Sequence, residues 1–380
     1  MSRMMLADFD RDVGCCSCLG FLRMAGREMD SFTGEHPDFL LDEGYRKRTV
    51  FPAKDRAICR DKPVKETAHL TRSEDSDGYK MVNEYVRQGT IGRGSYGKVV
   101  LYRSINDGMQ YAIKAFYKSR LSKVRVSSSE TAMTDVHREV SIMKLLEHPN
   151  IINLVEVIDD PESDHFYMVL EYVEGKWICD ASGACGGIGE YTARRYLRDI
   201  IAGLIYLHAH DIVHGDIKPE NLLVTRNGTV KIGDFSVSQA FEDGNDELWR
   251  SPGTPVFTAP ECCIGLSYHG KVADVWALGV TLYCMILGYC PFIGDSLQDT
   301  YDKIVDTPLY IPEEVDPELK DLLQGLLSKD PSQRLTLESA AKHPWVIREG
   351  GPIPIGSCRC KSESTREEYT SAGAKNDNGT

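Results

Sequence analysis

An α+β fold in two lobes, a small strand-rich one followed by a larger helical one, is what the sequence predicts. Three observations predict it. Residues 85–347 are densely patterned, whereas the stretches on either side lack sustained hydrophobic periodicity. Between 85 and 173 the apolar residues come in short β-branched and aromatic runs, KVVLYRS, QYAIKAFY and HFYMVLEYV, with one helix among them. From 174 to 347 the spacing becomes helical. There TARRYLRDIIAGLIYLHAH sets Tyr196, Ile200, Leu204 and Leu207 on one face, and LKDLLQGLLSKDP reads as an amphipathic helix stopped before Pro331. A cleft between two such lobes is where ligands commonly bind.

Length and composition allow this. The 380 residues suffice for two to three structural units, and 42% apolar with 27% charged residues is the make-up of a soluble globular protein with a large core. A formal charge of −13 argues against nucleic acid as a partner. The apolar run 275–289 is short for a bilayer and follows Asp274, which predicts a buried core helix. Charges at Arg3, Asp8, Asp10, Arg11 and Asp12 interrupt any secretory signal. Twelve cysteines without such a signal point to reduced thiols and a cytoplasmic or nuclear location.

Residues 1–84 are expected to form a mostly disordered leader and 348–380 a disordered tail. The leader carries a cluster, Cys15, Cys16 and Cys18, and a basic stretch, 46–65, with eight basic residues against two acidic. The tail carries Cys358 and Cys360. Idle thiols are the simplest reading. Acylation of the first cluster would bring membrane contact, without help from myristoylation because position 2 is serine. A shared zinc site fits no common ligand spacing. Arg46-Lys47-Arg48 reads as a solvated charge run or as a nuclear-import signal.

The chemistry starts at GTIGRGSYGKVV, 89–100, where Gly92, Gly94 and Gly97 have G-x-G-x-x-G spacing. A dinucleotide-binding fold requires a helix directly afterwards, and strand-like KVVLYRS follows instead. A glycine hairpin can lie over phosphates and offer backbone N–H donors; an ordinary Gly-rich turn is the alternative. Lys114 in YAIK shares a strand face with Ala112, so its ammonium can enter the cleft, where it needs an anion. Glu139 falls among the apolar stripe Val136, Val140 and Met143 of DVHREVSIMKLL. An acid there is costly unless paired, although a rim position in water is also open.

In VHGDIKPEN, 213–221, Asp216, Lys218 and Asn221 stand close together, and Asp234 ends the strand-like TVKIGDF. Two carboxylates and an amide near a phosphate-cradling loop and a lysine fit magnesium-dependent phosphoryl transfer. Magnesium takes hard oxygen ligands such as those of Asn221 and Asp234. Asp216 would accept the proton of an incoming hydroxyl while Lys218 neutralises charge on the moving phosphoryl group.

Taken together, GRGSYGKV, AIK, the helix glutamate, HGDIKPEN, DFS, APE (259–261), DVWALG and the late Arg334 resemble a eukaryotic protein kinase over residues 85–347, and DIKPEN resembles the serine/threonine class. The resemblance implies a bilobal kinase fold with ATP as phosphate donor and Mg2+ as cofactor. It places ATP against Ile91, Gly92, Arg93, Gly94, Ser95, Tyr96, Gly97, Lys98, Val99, Ala112, Lys114, Glu139 and Leu223. Met168 would be the gatekeeper, with Glu171 and Val173 in the adenine-binding hinge. Catalysis would fall to Asp216, Lys218 and Asn221, metal binding to Asn221 and Asp234, and a structural ion pair to Glu261 and Arg334. A pseudokinase scaffold is the rival, since the HRD and DFG motifs are altered, but all the chemical residues are present. The platform GTPVFTAPE, with Thr258 expected beside Asp216, favours a protein substrate over a small molecule.

Further stretches, EVIDDPESDHFYMVLEYVEGKW, ETAMTDVHREVSIMK and SPGTPVFTAPECC, resemble the calcium/calmodulin-dependent kinase kinases. Nearer still are the plant kinases named for binding geminivirus replication protein. This implies phosphorylation of the activation-loop threonine of sucrose-non-fermenting-related energy-sensing kinases, and a geminivirus replication protein as a further partner. Calmodulin control is not expected, because the tail has no basic amphipathic helix.

Two departures carry expectations. Gly215 stands where most kinases have an arginine that pairs with an activation-loop phosphate. Resting activity should then not depend on such a phosphate, which makes Ser251 and Thr254 weak switches. Thr131 is the better phosphosite, near the start of the Glu139 helix with Lys123 and Arg125 close by; a Ser-rich loop without a role is the alternative. Ser236 replaces the glycine that follows Asp-Phe, and its Cβ makes positive φ costly by roughly 1 kcal/mol. Access to a flipped-out Asp234 should fall accordingly.

Overall fold

The computed structural model describes residues 59–93, 96–126, 130–179, 186–249, 253–265 and 267–354. Gly94, Ser95, Ser251, both terminal cysteine clusters and the first part of the basic stretch lie outside them.

The small lobe is one eight-stranded sheet in the order β1-β7-β8-β6-β5-β4-β3-β2. Its strands are β1 (Lys65–Thr67), β2 (Arg72–Glu74), β3 (Lys80–Val82), β4 (Tyr85–Arg93), β5 (Lys98–Ser104), β6 (Gln110–Tyr117), β7 (Leu154–Asp159) and β8 (His165–Glu171). Alternation along the strands divides the side chains between two faces. Val100, Tyr102, Ile113, Ile158 and Val169 close one face around Tyr85. Phe116, Val157, Phe166 and Met168 turn to the other side and join the main core. Between β6 and β7 come α1 (Lys118–Leu121) and α2 (Ala132–Met143), and α2 packs Val136, Val140 and Met143 into that core.

Residues 59–84, assigned by the sequence to the leader, are part of this sheet. β1 runs parallel to β7, while β2 and β3 form a hairpin beyond β4. These strands read KET, RSE and KMV, too short and too polar to show an apolar period. β1 is held by β7, far along the sequence, whereas β2 and β3 are held by each other and by the neighbouring β4.

The large lobe is built on α3 (Glu190–Ala209), which buries Ile200, Leu204 and Leu207 as expected; Leu197 is buried with them, and Tyr196 only partly. Short strands follow: β9 (Ile212–Val213), β10 (Leu222–Val224), β11 (Val230–Ile232), β12 (Gln239–Ala240) and β13 (Glu247–Leu248). Next come α4 (Pro260–Ile264), β14 (Tyr268–His269) and α5 (Gly270–Leu287). The long apolar α5 is the core helix expected from 275–289, 72% buried in its most apolar window, and it stops where Gly288 turns left-handed at φ 82°. Four helices complete the lobe: α6 (Leu297–Asp306), α7 (Pro317–Leu326), α8 (Leu337–Ala341) and α9 (Pro344–Ile347).

Two boundaries differ from the sequence reading. α7 starts at Pro317, capped by the Asp316 carboxylate on the N–H groups of Glu318 and Leu319, and ends at Leu326, short of Pro331. The first residues of the expected tail are anchored to α3. Arg198 donates to the carbonyl oxygens of Val346, Gly350 and Gly351, Arg194 pairs with Glu349 at 2.8 Å, and Ile353 is buried. A polar stretch with one apolar residue shows no period, so the anchoring was not readable from pattern.

Candidate active site

Strand register gathers the site residues into a row. Gly92 faces Val99 across β4 and β5, Val99 faces Lys114 on β6, and Lys114 faces Met168 on β8. Directly paired residues of antiparallel strands share a side of the sheet. Ala112, opposite Leu170, shares it too, while Ile91 near the end of β4 is 45% exposed. Met168 is fully buried behind the lysine. Lys98 faces Ala115, and a Cβ on Gly97 would come within 2.3 Å of the Ala115 carbonyl oxygen, so only glycine allows this approach. Tyr96 donates its hydroxyl to Asp135 Oδ2 in the first turn of α2 at 3.1 Å.

The Lys114 ammonium is 2.7 Å from Glu139 Oε1 and 3.1 Å from Asp234 Oδ1. Glu139 is buried and paired, so the rim alternative falls away. Burial opposes the charge on Lys114, but the carboxylates of Glu139 and Asp234 outweigh it and hold the amine above its ordinary range. Burial likewise opposes ionisation of Asp234; attraction and a hydrogen bond from Lys114, with another from Ser236, hold its carboxyl below the usual value. With Asp234 turned in toward Lys114, Asp234 itself has a positive φ, 59°, and Ser236 does not. Glu171, expected at the hinge, turns its carboxylate to the Asn153 N–H (2.8 Å) and to Lys231 (2.9 Å), and donates its own N–H to the Asn153 carbonyl oxygen (3.0 Å). Val173 is buried and Leu223 on β10 half-buried.

The second cluster is held by the β10–β11 hairpin. Asn221 precedes β10, Asp234 follows β11, and the Gly233 N–H donates to the Asn221 carbonyl oxygen at 2.8 Å. Asn221 Nδ2 donates to Asp216 Oδ2 (2.9 Å) and to the Asp216 carbonyl oxygen (2.8 Å). Lys218 Nζ lies 2.7 Å from the same carboxylate. Thr258 is not the residue beside Asp216. It donates to the Thr254 carbonyl oxygen at 3.3 Å, and Thr254 occupies the expected place, with its N–H (2.9 Å) and hydroxyl (2.7 Å) on Asp216 Oδ1. Which threonine of a turn reaches a distant loop depends on tertiary register, which the local sequence does not carry.

Arg334, fully buried, grips Glu261 through two nitrogens at 2.6 and 2.8 Å and also donates to the Val272 carbonyl oxygen. The protein kinase domain family matches residues 85–346. The chain is a protein kinase. It is 67% identical over 311 residues to the serine/threonine-protein kinase GRIK1 of Arabidopsis thaliana, across 82% of this chain and 78% of that one. A calcium/calmodulin-dependent protein kinase kinase of Caenorhabditis elegans is 38% identical over 303 residues, 74% of this kinase and 56% of the relative. SNF1-activating kinase 1 of Saccharomyces cerevisiae is 36% identical over 346 residues, 77% of this kinase and 30% of the relative. The kinase is of the serine/threonine class, as DIKPEN led one to expect.

Protein kinases use ATP and Mg2+, and the residues present fit both. Asn221 directs its amide nitrogen to Asp216, which leaves its oxygen free to point elsewhere, and the Asp234 carboxylate is 34% exposed. Hard oxygen donors of this kind suit magnesium, which draws the rest of its shell from phosphate and water.

Two residues that the sequence motifs contain had no role assigned to them. His214, fully buried, lies 3.1 Å from the Gly233 carbonyl oxygen through Nε2 and accepts the Asp216 N–H through Nδ1 at 3.3 Å, joining the two halves of the site. Asp274 accepts the N–H groups of His214 (3.0 Å) and Gly215 (2.9 Å) and sits 2.9 Å from His208 Nε2. A lone acid opening an otherwise apolar helix was the available signal. Gly215 itself has φ 77°, in the left-handed region that glycine adopts freely.

Proposed function

We propose that this kinase transfers the γ-phosphate of ATP, with Mg2+, to the activation-loop threonine of sucrose-non-fermenting-related energy-sensing kinases. The name of the yeast relative, an SNF1-activating kinase, and the likeness to GRIK1 support the substrate class. The observation that carries the reading is the assembled catalytic constellation: Lys114 on Glu139 and Asp234, and Asp216 held by Lys218, Asn221 and Thr254.

In this reading each group has one task. Donors on both carboxylate oxygens fix Asp216 in one orientation, from which it aims a substrate hydroxyl and takes its proton. Lys218, between Asp216 and Thr254, can shift toward the transferring phosphoryl group and offset its charge. Lys114 holds the nucleotide phosphates, and Glu139 keeps the ammonium pointed at them. Asn221 and Asp234 would hold magnesium, which supplies charge neutralisation between the terminal phosphates. With Gly215 in place of arginine, no guanidinium from that position waits for an activation-loop phosphate.

An assay with labelled ATP against a panel of energy-sensor catalytic domains tests this. Label should enter domains with the loop threonine intact, not those with it replaced by alanine, and Asp216→Ala should abolish transfer. Equal labelling of intact and replaced domains would refute the substrate assignment.

A further inference from the structure

The segment from Cys59 to Thr67 precedes the matched kinase domain, yet it is bonded into it. One guanidinium does most of this. Arg60 Nη1 donates to the carbonyl oxygens of Leu146 (2.7 Å) and Met143 (3.4 Å), and Nη2 to Asn153 Oδ1 (2.8 Å) and the Leu154 carbonyl oxygen (2.9 Å). The first pair lies at the end of α2, the second at the start of β7. On either side of Arg60, the Cys59 N–H donates to the Leu145 carbonyl oxygen (3.0 Å) and the Asp61 N–H to Glu147 Oε2 (3.1 Å). Tyr206 of α3 closes the arrangement from the large lobe: its hydroxyl donates to the Cys59 carbonyl oxygen (3.4 Å) and accepts the Glu147 N–H (3.0 Å).

The sheet is built around this segment. Glu156 on β7 is fully buried, and its carboxylate is met by the Tyr85 hydroxyl (2.6 Å), Lys65 Nζ (3.1 Å) and the Thr67 hydroxyl. Two of those three donors come from β1. Without β1 the carboxylate would be a buried charge with a single neutral partner, a strongly unfavourable state.

Arg60 also bears on the chemistry. The last carbonyls of a helix lack partners within it, and a cation there complements the helix dipole. Met143, the last residue of α2, lies one turn beyond Glu139 on the same face. Fixing that end to β7 sets where the Glu139 carboxylate stands. We infer that Arg60 is a positioning residue for phosphoryl transfer, holding α2 where Glu139 meets Lys114.

The test is a double-mutant cycle on the full chain. Arg60→Gln, Glu139→Gln and the double variant are assayed for kcat and KM for ATP with a serine/threonine peptide that the wild type phosphorylates, at a temperature where circular dichroism shows each folded. Arg60→Gln should lower kcat/KM for ATP by about ten- to a hundredfold, the penalty of a displaced catalytic group. In the Glu139→Gln background it should add less than about twofold. Arg60→Lys, which keeps the charge but offers a single nitrogen, runs through the same cycle and answers the question should the glutamine variant not fold. Independent, multiplicative losses in the cycle would show a merely structural role, and an unchanged KM and kcat in the single variants would overturn the inference outright.

Discussion

The hydroxyl of Thr254 lies 2.7 Å from Asp216 Oδ1 and 2.6 Å from Lys218 Nζ. It donates to one and accepts from the other, so a residue of the activation segment completes the catalytic pair. Thr254→Val keeps the shape and removes the hydroxyl, leaving two part-buried polar groups short of a partner at a cost of about 1–3 kcal/mol. If that cost falls on the transition state, kcat drops about ten- to a hundredfold. Thr254→Ser should keep most activity, and Thr254→Glu should lose it by setting a second carboxylate against Asp216. Initial rates at saturating ATP decide this. A glutamate variant that outperforms the wild type would make Thr254 a phosphate switch instead.

Much of this site was legible in the sequence because each key residue is tied to a local pattern. Lys114 sits on a strand whose alternation is plain, Glu139 interrupts an apolar helical stripe, and Asp234 ends a short strand. What was not legible depends on contacts between distant segments. Thr254 and Thr258 are equivalent in the local pattern, and only the tertiary path of the activation segment selects Thr254. β1 escaped notice for a related reason, since its partner strand β7 lies far along the sequence, as the contact of Lys65 with Glu156 shows, while β2 and β3 form a hairpin too short and polar to show a period.

Thr131 is the N-cap of α2, and its N–H donates to Thr134 Oγ1 at 3.3 Å. It also faces Arg125 across an isolated antiparallel bridge. A phosphate here would meet the helix N-terminus, worth about 0.3–1 kcal/mol when exposed. The expected result is that active kinase purified after incubation with ATP carries phosphate on Thr131, and that Thr131→Ala lowers activity severalfold. Thr131→Asp preserves both cap and charge and should retain activity. Mass spectrometry of a fully active sample without phosphate at Thr131 would dispose of the idea.

Arg334 and Glu261 form a pair whose guanidinium is wholly buried. Removing one partner of such a pair leaves the other charge without compensation, at about 3–5 kcal/mol. Glu261→Gln should therefore lower the free energy of unfolding in urea by about that amount, with kcat of the folded enzyme nearly unchanged, because neither residue touches Asp216 or Lys114. A loss under about 1 kcal/mol, the range of exposed pairs, would show that water reaches the pair.

Acid should weaken the fold through His148 before it reaches the carboxylates. Burial, aided by the Lys231 ammonium and by His210, pushes this imidazole down to about 4. The neutral ring accepts the Asn150 N–H through Nδ1 at 3.1 Å and stacks on Tyr206 with centroids 4.7 Å apart. In the unfolded chain the same group titrates near about 6.5. Between about 6.5 and 4 the unfolded state binds a proton that the folded state refuses, so stability declines as pH falls through that window and this contribution levels off below it. Asp234 acts lower still: its folded value is depressed, so its contribution is present above the ordinary carboxylate range and lost beneath it. His148→Asn removes the titrating ring. Urea unfolding at pH 7, 6, 5 and 4.5 should show the gap between wild type and variant shrinking steadily toward acid. A gap that stays constant from pH 7 to 4.5 would mean that His148 is protonated as readily folded as unfolded.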